Sequence, residues 1–314
     1  MVCGNFDAVR VSRSCVPTHT MAPSSSIRNK HKRAEVYDKE KRKKVADKLA
    51  RRKEIKRNEV KDPSKREARL TKNVPATLDN KRVYDETIVD GTTIEDLQDD
   101  EFAKYFQDGL KPKVLVTTSR GPSRGCYEFA EELVGVFPGA EYVKRGHKFS
   151  VKEIAQFCSQ REYTDVLIVH EDQRKVNSIQ ILHLPHGPSL LFSITSIEMP
   201  KRISGHGRAT SHDPELILNN FSTRLGHTVG RMFQALFPQA PDFYGRQVVT
   251  LHNQRDFIFF RRHRYVFKDT EKVGLQELGP RFTLKLRRIV KGIKGEVEWE
   301  HRADMEVNRR KFYI

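Results

Sequence analysis

The chain has few of the residues that build disulfide-linked or metal-linked scaffolds. It contains four cysteines and one tryptophan in 314 residues, and the cysteines lie far apart at Cys3, Cys15, Cys126 and Cys158. This spacing gives neither a disulfide framework nor a zinc-binding pattern, so we expect a reducing, intracellular compartment. Cys126 and Cys158 lie in stretches with apolar residues at helical spacing, which predicts small core residues rather than nucleophiles.

Long apolar runs are also missing. No stretch approaches the roughly 18 consecutive apolar residues of a transmembrane helix, and the amino terminus lacks the apolar segment of a signal peptide. We therefore expect a soluble protein that is not secreted and contacts no membrane. Hydrophobic residues make up only 37% of the chain, which predicts that part of it lies outside any core.

Complete local signatures of catalysis and nucleotide binding are missing as well. The one Gly-x-Ser-x-Gly match, Gly121-Pro122-Ser123-Arg124-Gly125, comes with no His and Asp in a recognised catalytic setting, and the glycine-rich loop Gly205–Arg208 has no Gly-Lys-Ser/Thr ending. Four histidines invite a metal interpretation, but they lack the spacing of paired ligands: His183, His186, His206 and His212. We expect no enzymatic activity, no cofactor and no bound metal.

Positive charge is what the chain has in excess. It carries 58 Lys and Arg against 41 Asp and Glu, a net charge of +17, which favours a nucleic-acid partner. Residues 28–72 hold 20 Lys and Arg against 8 Asp and Glu among strong helix formers. This composition predicts a basic arm, disordered or helical, that binds RNA or directs nuclear import. Between residues 85 and 108 the sign reverses, which predicts an acidic linker that screens the arm or docks a basic partner.

Residues 111–294 show a regular α/β pattern in two rounds. A strand and a helix over residues 126–136 lead into Phe137-Pro138-Gly139-Ala140. In the second round a helix predicted over Glu215–Leu236 leads into Phe237-Pro238-Gln239-Ala240. The echo predicts an internal duplication of two similar α/β halves. The other predicted elements are a helix over 150–157, strands over 165–170, 178–184, 190–194 and 297–300, and a hairpin of strands 247–252 and 257–267.

The segment from Gly279 to Ile289 alternates apolar residues with cations. Period-two alternation predicts a strand with one packed face, formed by Phe282, Leu284 and Leu286. The other face then presents Arg281, Thr283, Lys285 and Arg287. Charges at every second position repeat at about 6.5 to 7 Å, which suits a phosphate backbone. An edge strand protected from aggregation by Lys and Arg explains the same pattern, and this segment alone leaves both explanations open.

Several segments together resemble a known family. These are the run Gly279-Pro280-Arg281-Phe282-Thr283-Leu284-Lys285-Leu286-Arg287-Arg288, with Gly187-Pro188-Ser189, Leu218-Asn219-Asn220-Phe221 and Phe237-Pro238. They resemble the Brix-domain family of ribosome assembly proteins over roughly two thirds of the chain. Cys126 departs from the pattern, since a small hydroxyl residue is expected there.

The resemblance implies a function and a set of partners. It implies a non-enzymatic factor of the nucleus and nucleolus that binds ribosomal RNA precursor in the pre-ribosomal particle of the large subunit. It also implies a second assembly-factor protein as a partner. In this family the Gly-Pro-Arg-Phe strand is the proposed RNA-binding motif, which designates four residues here: Arg281, Lys285, Arg287 and Arg288.

The predicted RNA contacts extend beyond the four motif residues. The full set in and beside the strand is Arg281, Thr283, Lys285, Arg287, Arg288, Lys291, Lys268 and Lys272. Further candidate contacts are cations of loops and of the second hairpin strand: Arg120, Lys201, Arg202, Arg208, Arg261, Arg262 and Arg264. Core packing is the predicted role of the neighbouring Phe259 and Phe260.

The predicted domain organisation has five parts. They are a disordered tail (1–27), a basic arm (28–84), an acidic linker (85–110), a Brix domain (111–294) and a C-terminal extension (295–314). The alternative function is a protein-interaction scaffold within pre-ribosomes whose basic strand does not contact RNA.

Overall fold

The computed structural model describes residues 27–84, 87–89, 102–269, 272–293, 295–308 and 310–314. The chain divides into two compact units after Ala76. Nearly all of the predicted tail and most of the predicted acidic linker lie outside the described residues. Among the described residues, no helix has the length and apolarity that a membrane span requires.

The first unit consists of two basic helices, α1 (Lys30–Lys61) and α2 (Pro63–Lys72). The Asn29 side chain caps α1 by accepting two backbone N–H groups at 3.0 and 3.4 Å, and Pro63 starts α2, where a missing N–H costs nothing. Neither described helix has a buried residue. The sequence left the basic arm as disordered or helical, and the structure shows it as these two helices, which bury none of their described residues.

The second unit is a mixed α/β structure built on one sheet of eleven strands. Its helices are α3 (Ala103–Gln107), α4 (Arg124–Val134), α5 (Val151–Ser159) and α6 (Arg224–Ala235). Its first strands are β1 (Val114–Thr118), β2 (Ala140–Tyr142), β3 (Asp165–Asp172), β4 (Lys175–His183) and β5 (Ser189–Glu198). The others are β6 (Glu215–Asn219), β7 (Gln247–Gln254), β8 (Phe257–Phe267), β9 (Val273–Glu277), β10 (Arg281–Val290) and β11 (Val297–Glu300).

The strand order confirms the predicted internal duplication. The order is β2-β1-β3-β4-β5-β10-β8-β7-β6, with β9 paired to β8 and β11 paired to β10. In the first half β1 runs parallel to β3, followed by antiparallel β4 and β5; in the second, β6 runs parallel to β7, followed by antiparallel β8 and β10. The last strands of the two halves, β5 and β10, pair at the centre. The echoed Phe137 and Phe237 touch, with ring centroids 5.4 Å apart.

The predicted helix over Glu215–Leu236 is wrong at its start. Residues Glu215–Asn219 form β6, which pairs parallel with β7, and the helix begins only at Arg224. Asn220 has a φ of 63°, which turns the chain, and the Thr223 hydroxyl caps α6 by accepting from Gly226 N at 2.9 Å. The apolar residues of β6 and α6 follow one continuous helical spacing, so the sequence pattern did not separate the two elements. Thr223 was the signal for the start of the helix.

Helices cover the two faces of the sheet unequally. One face packs against α4 and α6, where Phe129 meets Phe282 and Phe233 meets Phe192 with ring centroids 5.6 and 5.4 Å apart. The opposite face packs against α5 over strands β1, β3 and β4 only, and its core members are Leu115, Ala155, Cys158, Val166, Ile168, Leu182 and Leu184. We call the rest of that opposite face, formed by β5, β10, β8, β7 and β6, the open face. Among the described α-helices of the second unit, none packs on it.

Hydrogen bonds and one buried side chain attach the last segment of the chain to the sheet. The Asp256 carboxylate accepts the backbone N–H groups of Tyr313 and Ile314 at 2.7 and 2.9 Å. Asn253 donates to the Ile314 carbonyl oxygen at 2.8 Å, and the Ile314 side chain is buried in the main core. The segment between β11 and Ile314 therefore crosses the end of the hairpin and brings a short 3-10 helix, Ala303–Glu306, next to β10.

Candidate nucleic-acid interface

Strand β10, which carries the predicted RNA-binding motif, lies in the middle of the sheet. It pairs with β5 along one side and with β8 and then β11 along the other. The interpretation of its cations as protection of an edge strand is therefore wrong, because β10 has no edge to protect. The cations need another explanation.

The predicted alternation of β10 is confirmed. Phe282, Leu284 and Leu286 are buried in the main core, so Thr283 and Lys285 point to the open face. Thr283 is only 7% exposed, which argues against the RNA contact predicted for it. The register with β5 shifts between Leu286 and Arg288, which is a β-bulge. Because Ile289 returns to the core, the bulge places Arg287 and Arg288 side by side on the open face.

Carboxylates hold the first two cations of β10. The Nε atom of Arg281 donates to Glu198 at 2.9 Å, and its Nη1 atom lies 3.7 Å from Glu277. The Nζ atom of Lys285 donates to Glu306 at 2.6 Å. It also lies 5.1 Å from the centroid of the Phe257 ring. These contacts raise the pKa of Arg281 through the Glu198 hydrogen bond and lower that of Glu306 through Lys285.

The two arginines at the bulge have different partners. Arg288 donates from Nε to Glu300 of β11 at 3.0 Å. Arg287 donates from Nε to the Ser193 hydroxyl at 2.9 Å, and its Nη1 lies 3.3 Å from Nδ1 of His301. Burial, then Lys285 and Arg287, lower the pKa of His301, which favours its neutral form beside these cations.

The basic strand is therefore balanced by acidic side chains. Three cations meet four carboxylates, which come from β5, β9, β11 and the 3-10 helix. Of the cations in this row, only Arg287 pairs with no described carboxylate. A phosphate that approaches the row must compete with these carboxylates, so the bare row of charge predicted from the strand alone is replaced by a set of ion pairs.

Strand β8 continues the open face with aromatic and basic side chains. Phe260 stacks on Phe282 at 4.3 Å in the core, which confirms its predicted packing, whereas Phe259 is half-buried on the open face. Arg261 is half-buried on the open face, and burial lowers its pKa. Arg262 points the other way, is 5% exposed and donates to Gln247 at 2.9 Å, a position that argues against RNA contact. Arg264 is exposed on the helix-covered side.

Three predicted loop cations gather beside the start of β10. Lys201, Arg202 and Arg208 are exposed. The first two belong to a short 3-10 helix, Pro200–Arg202, and a Cβ added at Gly279 would lie 3.1 Å from Cα of Pro200. Arg208 follows Gly207, whose N–H donates to the Glu277 carbonyl at 2.8 Å. We call Lys201, Arg202 and Arg208 the loop cluster; none of them makes an ion pair with a described residue.

The remaining predicted contacts are exposed and dispersed. Lys268 and Lys272 flank the turn between β8 and β9, Lys291 follows β10, and Arg120 lies beyond the carboxyl end of β1. The structure joins none of these four to the motif residues by a described hydrogen bond or ion pair.

The acidic partners are the functional residues that sequence reasoning missed. Glu198 lies 83 positions before Arg281, and Glu306 lies 21 positions after Lys285. Only Glu300 gave a signal, because its strand was predicted, although its pairing with β10 was not.

The two described cysteines and His183 are buried, which is typical of residues that stabilise the fold. Burial raises the pKa of Cys126 to about 12 and that of Cys158 to about 11, and both are core residues as predicted. His183 is buried and bonds to Asp165 at 2.8 Å. Among the described residues no group of three or more His, Cys, Asp or Glu could hold a metal ion.

The family model and the sequence relatives agree on one family. The model of the Brix domain matches residues 119–288, more than half of the chain. Ribosome production factor 1 of Saccharomyces cerevisiae is 49% identical over 294 residues, which cover 92% of this chain and 98% of that protein. Ribosome production factor 1 of Mus musculus is 45% identical over 300 residues, with 92% and 84% covered. A crystal structure of a probable ribosomal biogenesis protein from Aeropyrum pernix K1 aligns with 55% of this chain and 96% of its own at 18% identity and a TM-score of 0.43.

Proposed function

We propose, because this chain belongs to the Brix domain family, that it acts in ribosome biogenesis as a non-enzymatic assembly factor that binds ribosomal RNA precursor. The proposal includes the large subunit as the particle, the nucleolus as the place, and a second assembly-factor protein as a partner. Relatives named ribosome production factor 1, at 49% and 45% identity over most of this chain, support the ribosomal role. RNA binding rests on the charge and geometry described above.

The observation that carries RNA binding is the helical basic arm. Residues 28–72 hold 20 Lys and Arg against 8 Asp and Glu, and neither of its described helices has a buried residue. These cations are exposed, and among the described ones only Lys65 and Arg69 pair with carboxylates, those of Asp62 and Glu59. The others are available to phosphates, and each contact that releases counterions adds affinity that salt reduces. The arm therefore supplies most of the affinity.

The folded unit adds a second attachment. The loop cluster is exposed and has no described ion pair, and Arg287 lies on the open face without a carboxylate partner among the described residues. The other cations of β10 bind RNA only when a phosphate replaces Glu198, Glu300 or Glu306. An arm and a folded surface on one chain bind together more tightly than either alone, and recognition follows RNA shape more than base sequence.

A second function is favoured by the ion pairs on the open face. If these pairs persist in the pre-ribosome, the folded unit is a protein-interaction scaffold and only the arm touches RNA. This alternative predicts that variants of β10 and the loop cluster leave RNA affinity unchanged.

The test is RNA affinity measured by fluorescence anisotropy at several salt concentrations, with the full-length protein and a structured fragment of ribosomal RNA precursor. In the test variant, the arm residues Lys41, Arg42, Lys43 and Lys44 become Gln. If all four contact phosphates, the slope of log affinity against log salt falls by about 3 to 4. The control changes four exposed cations of the folded unit to Gln: Lys148, Lys152, Arg174 and Lys175. Equal slopes for both variants would contradict a specific role of the arm.

A further inference from the structure

A pocket of about 360 Å³ opens beside α5. It lies near β1 and β2, at the end of the strand order away from the strands that form the open face. Its size lies within the range of ligand and anchor pockets, about 300 to 1,000 Å³. Its walls are mainly apolar and come from β1, the segment after β2, α5 and the residues around it: Leu115, Val143, Phe149, Ile154, Phe157 and Tyr163. None of the predicted RNA contacts lines it.

Three of these lining residues have large apolar side chains that are exposed to solvent. Val143, Phe149 and Phe157 are 49%, 45% and 44% exposed. The rings of Phe149 and Phe157 meet edge to face at 5.6 Å, so the exposed groups form one patch rather than scattered residues. A contiguous apolar patch around a cavity is typical of a protein-binding site.

Positively charged residues line the pocket. They are Lys144, Arg145 and Arg161, and no Asp or Glu is among its lining residues. The Arg145 guanidinium is fixed by donating to the Phe149 carbonyl at 3.0 Å. Burial and the nearby Arg120 lower its pKa, which indicates that cations gather here. The complementary partner is acidic.

The polar groups inside the pocket already have partners within the protein. The Thr117 hydroxyl donates to the Val143 carbonyl at 2.8 Å, and the Tyr163 hydroxyl donates to Glu141 at 2.5 Å. A nucleobase is read through hydrogen bonds to its edges, and each of these two hydroxyls already uses its one donor within the protein. The pocket instead suits an apolar side chain.

We propose that this pocket binds an acidic segment of a partner protein. The segment inserts an aromatic or branched aliphatic side chain between Phe149 and Phe157. Its flanking Asp or Glu residues pair with Lys144, Arg145 and Arg161. Binding at this site requires no RNA, so it stands independently of the proposed RNA interface.

The test is a selection of random 16-residue peptides displayed on phage, with the full-length protein as bait and the Phe157→Ser variant for counter-selection. We expect enriched peptides with an aromatic or aliphatic residue flanked by Asp or Glu. A synthetic peptide of the enriched sequence should bind about 30-fold more weakly to Phe157→Ser, as for an interface anchor. It should also bind more weakly to Arg161→Glu, and the effect of that change should shrink at high salt.

Matched controls distinguish binding at the pocket from nonspecific binding to exposed apolar or charged residues. Phe243→Ser removes an aromatic that is 65% exposed elsewhere, and Lys175→Glu reverses an exposed charge away from the pocket. Both should change affinity less than twofold, and circular dichroism checks that every variant is folded. The proposal is wrong if no enriched peptide distinguishes the unaltered protein from Phe157→Ser, or if the enriched peptides are basic. Weaker binding of a ten-residue oligouridylate to Phe157→Ser would overturn it in favour of a nucleobase pocket.

Discussion

Three carboxylates beside the cations of β10 offer a direct way to test whether this strand contacts RNA. Glu198, Glu300 and Glu306 pair with cations of the strand. Changing all three to Gln keeps their size and hydrogen-bonding ability but removes three negative charges. If β10 contacts phosphates, the released cations will bind RNA more tightly, a gain of function that general damage cannot produce.

The size of the gain follows from the number of cations released. Each additional phosphate contact steepens the plot of log affinity against log salt by about 0.7 to 0.9, so three contacts add about 2 to 3 to the slope. Between 50 and 200 mM salt, the affinity of the triple variant should therefore fall by a factor about 20 to 40 times larger than for the unaltered protein. The ion pairs are partly exposed, and such pairs stabilise a fold by at most about 1 kcal/mol each, so we expect the variant to fold.

A variant with the same change in net charge serves as the control. Glu128, Glu131 and Glu162 are exposed and belong to α4 and the turn before β3, away from β10. Their change to Gln should steepen the salt dependence much less. If the two triple variants give the same slope in fluorescence anisotropy with structured ribosomal RNA, the open face does not contact phosphates and the scaffold alternative is favoured.

Three further predictions concern the fold. Asp256→Ala removes the acceptor of the last two backbone N–H groups and should lower the free energy of unfolding in urea by about 2 to 3 kcal/mol; Asp256→Asn, which keeps the oxygen, should lose clearly less, and equal losses would contradict this role. Burial lowers the pKa of His170 below 6.5, so the unfolded chain binds the proton first and stability should fall as pH drops below 6.5; His170→Gln should flatten this fall in thermal melts between pH 7 and 5, and an unchanged fall would exclude His170. With pKa values raised to about 12 and 11, Cys126 and Cys158 should resist iodoacetamide at pH 8 until the protein unfolds; peptide mass mapping of alkylated native protein would reveal a failure.

Local sequence patterns predicted the structure correctly wherever short-range residue spacing determines it. The alternation in Arg281–Val290 predicted both faces of β10, and the Asn253–Asp256 turn predicted the hairpin of β7 and β8. The Phe-Pro echoes predicted the duplication, whose two phenylalanines are in contact. The pattern failed at Glu215–Leu236, where a strand and a helix with continuous apolar spacing are separated only by a short turn.

The electrostatics of the site lay beyond local pattern. A strand sequence shows which of its own residues share a face, but it does not show which residues of other strands stand opposite them. The pairing of Arg281 with Glu198 depends on the alignment of β10 with β5, and that of Lys285 with Glu306 depends on the path of the chain after β11. The position of Arg262 on the covered face follows from strand parity, but its burial and its hydrogen bond to Gln247 depend on the tertiary structure.

The most direct test of the central claim, that the folded unit binds ribosomal RNA precursor together with the arm, is ultraviolet crosslinking in cells with sequencing of the attached RNA and mapping of the crosslinked peptides. We predict crosslinks to large-subunit ribosomal RNA precursor from the arm, residues 28–72, and also from the loop cluster and the strand from Gly279 to Arg288. Crosslinks confined to the arm, or none to ribosomal RNA precursor, would contradict the claim.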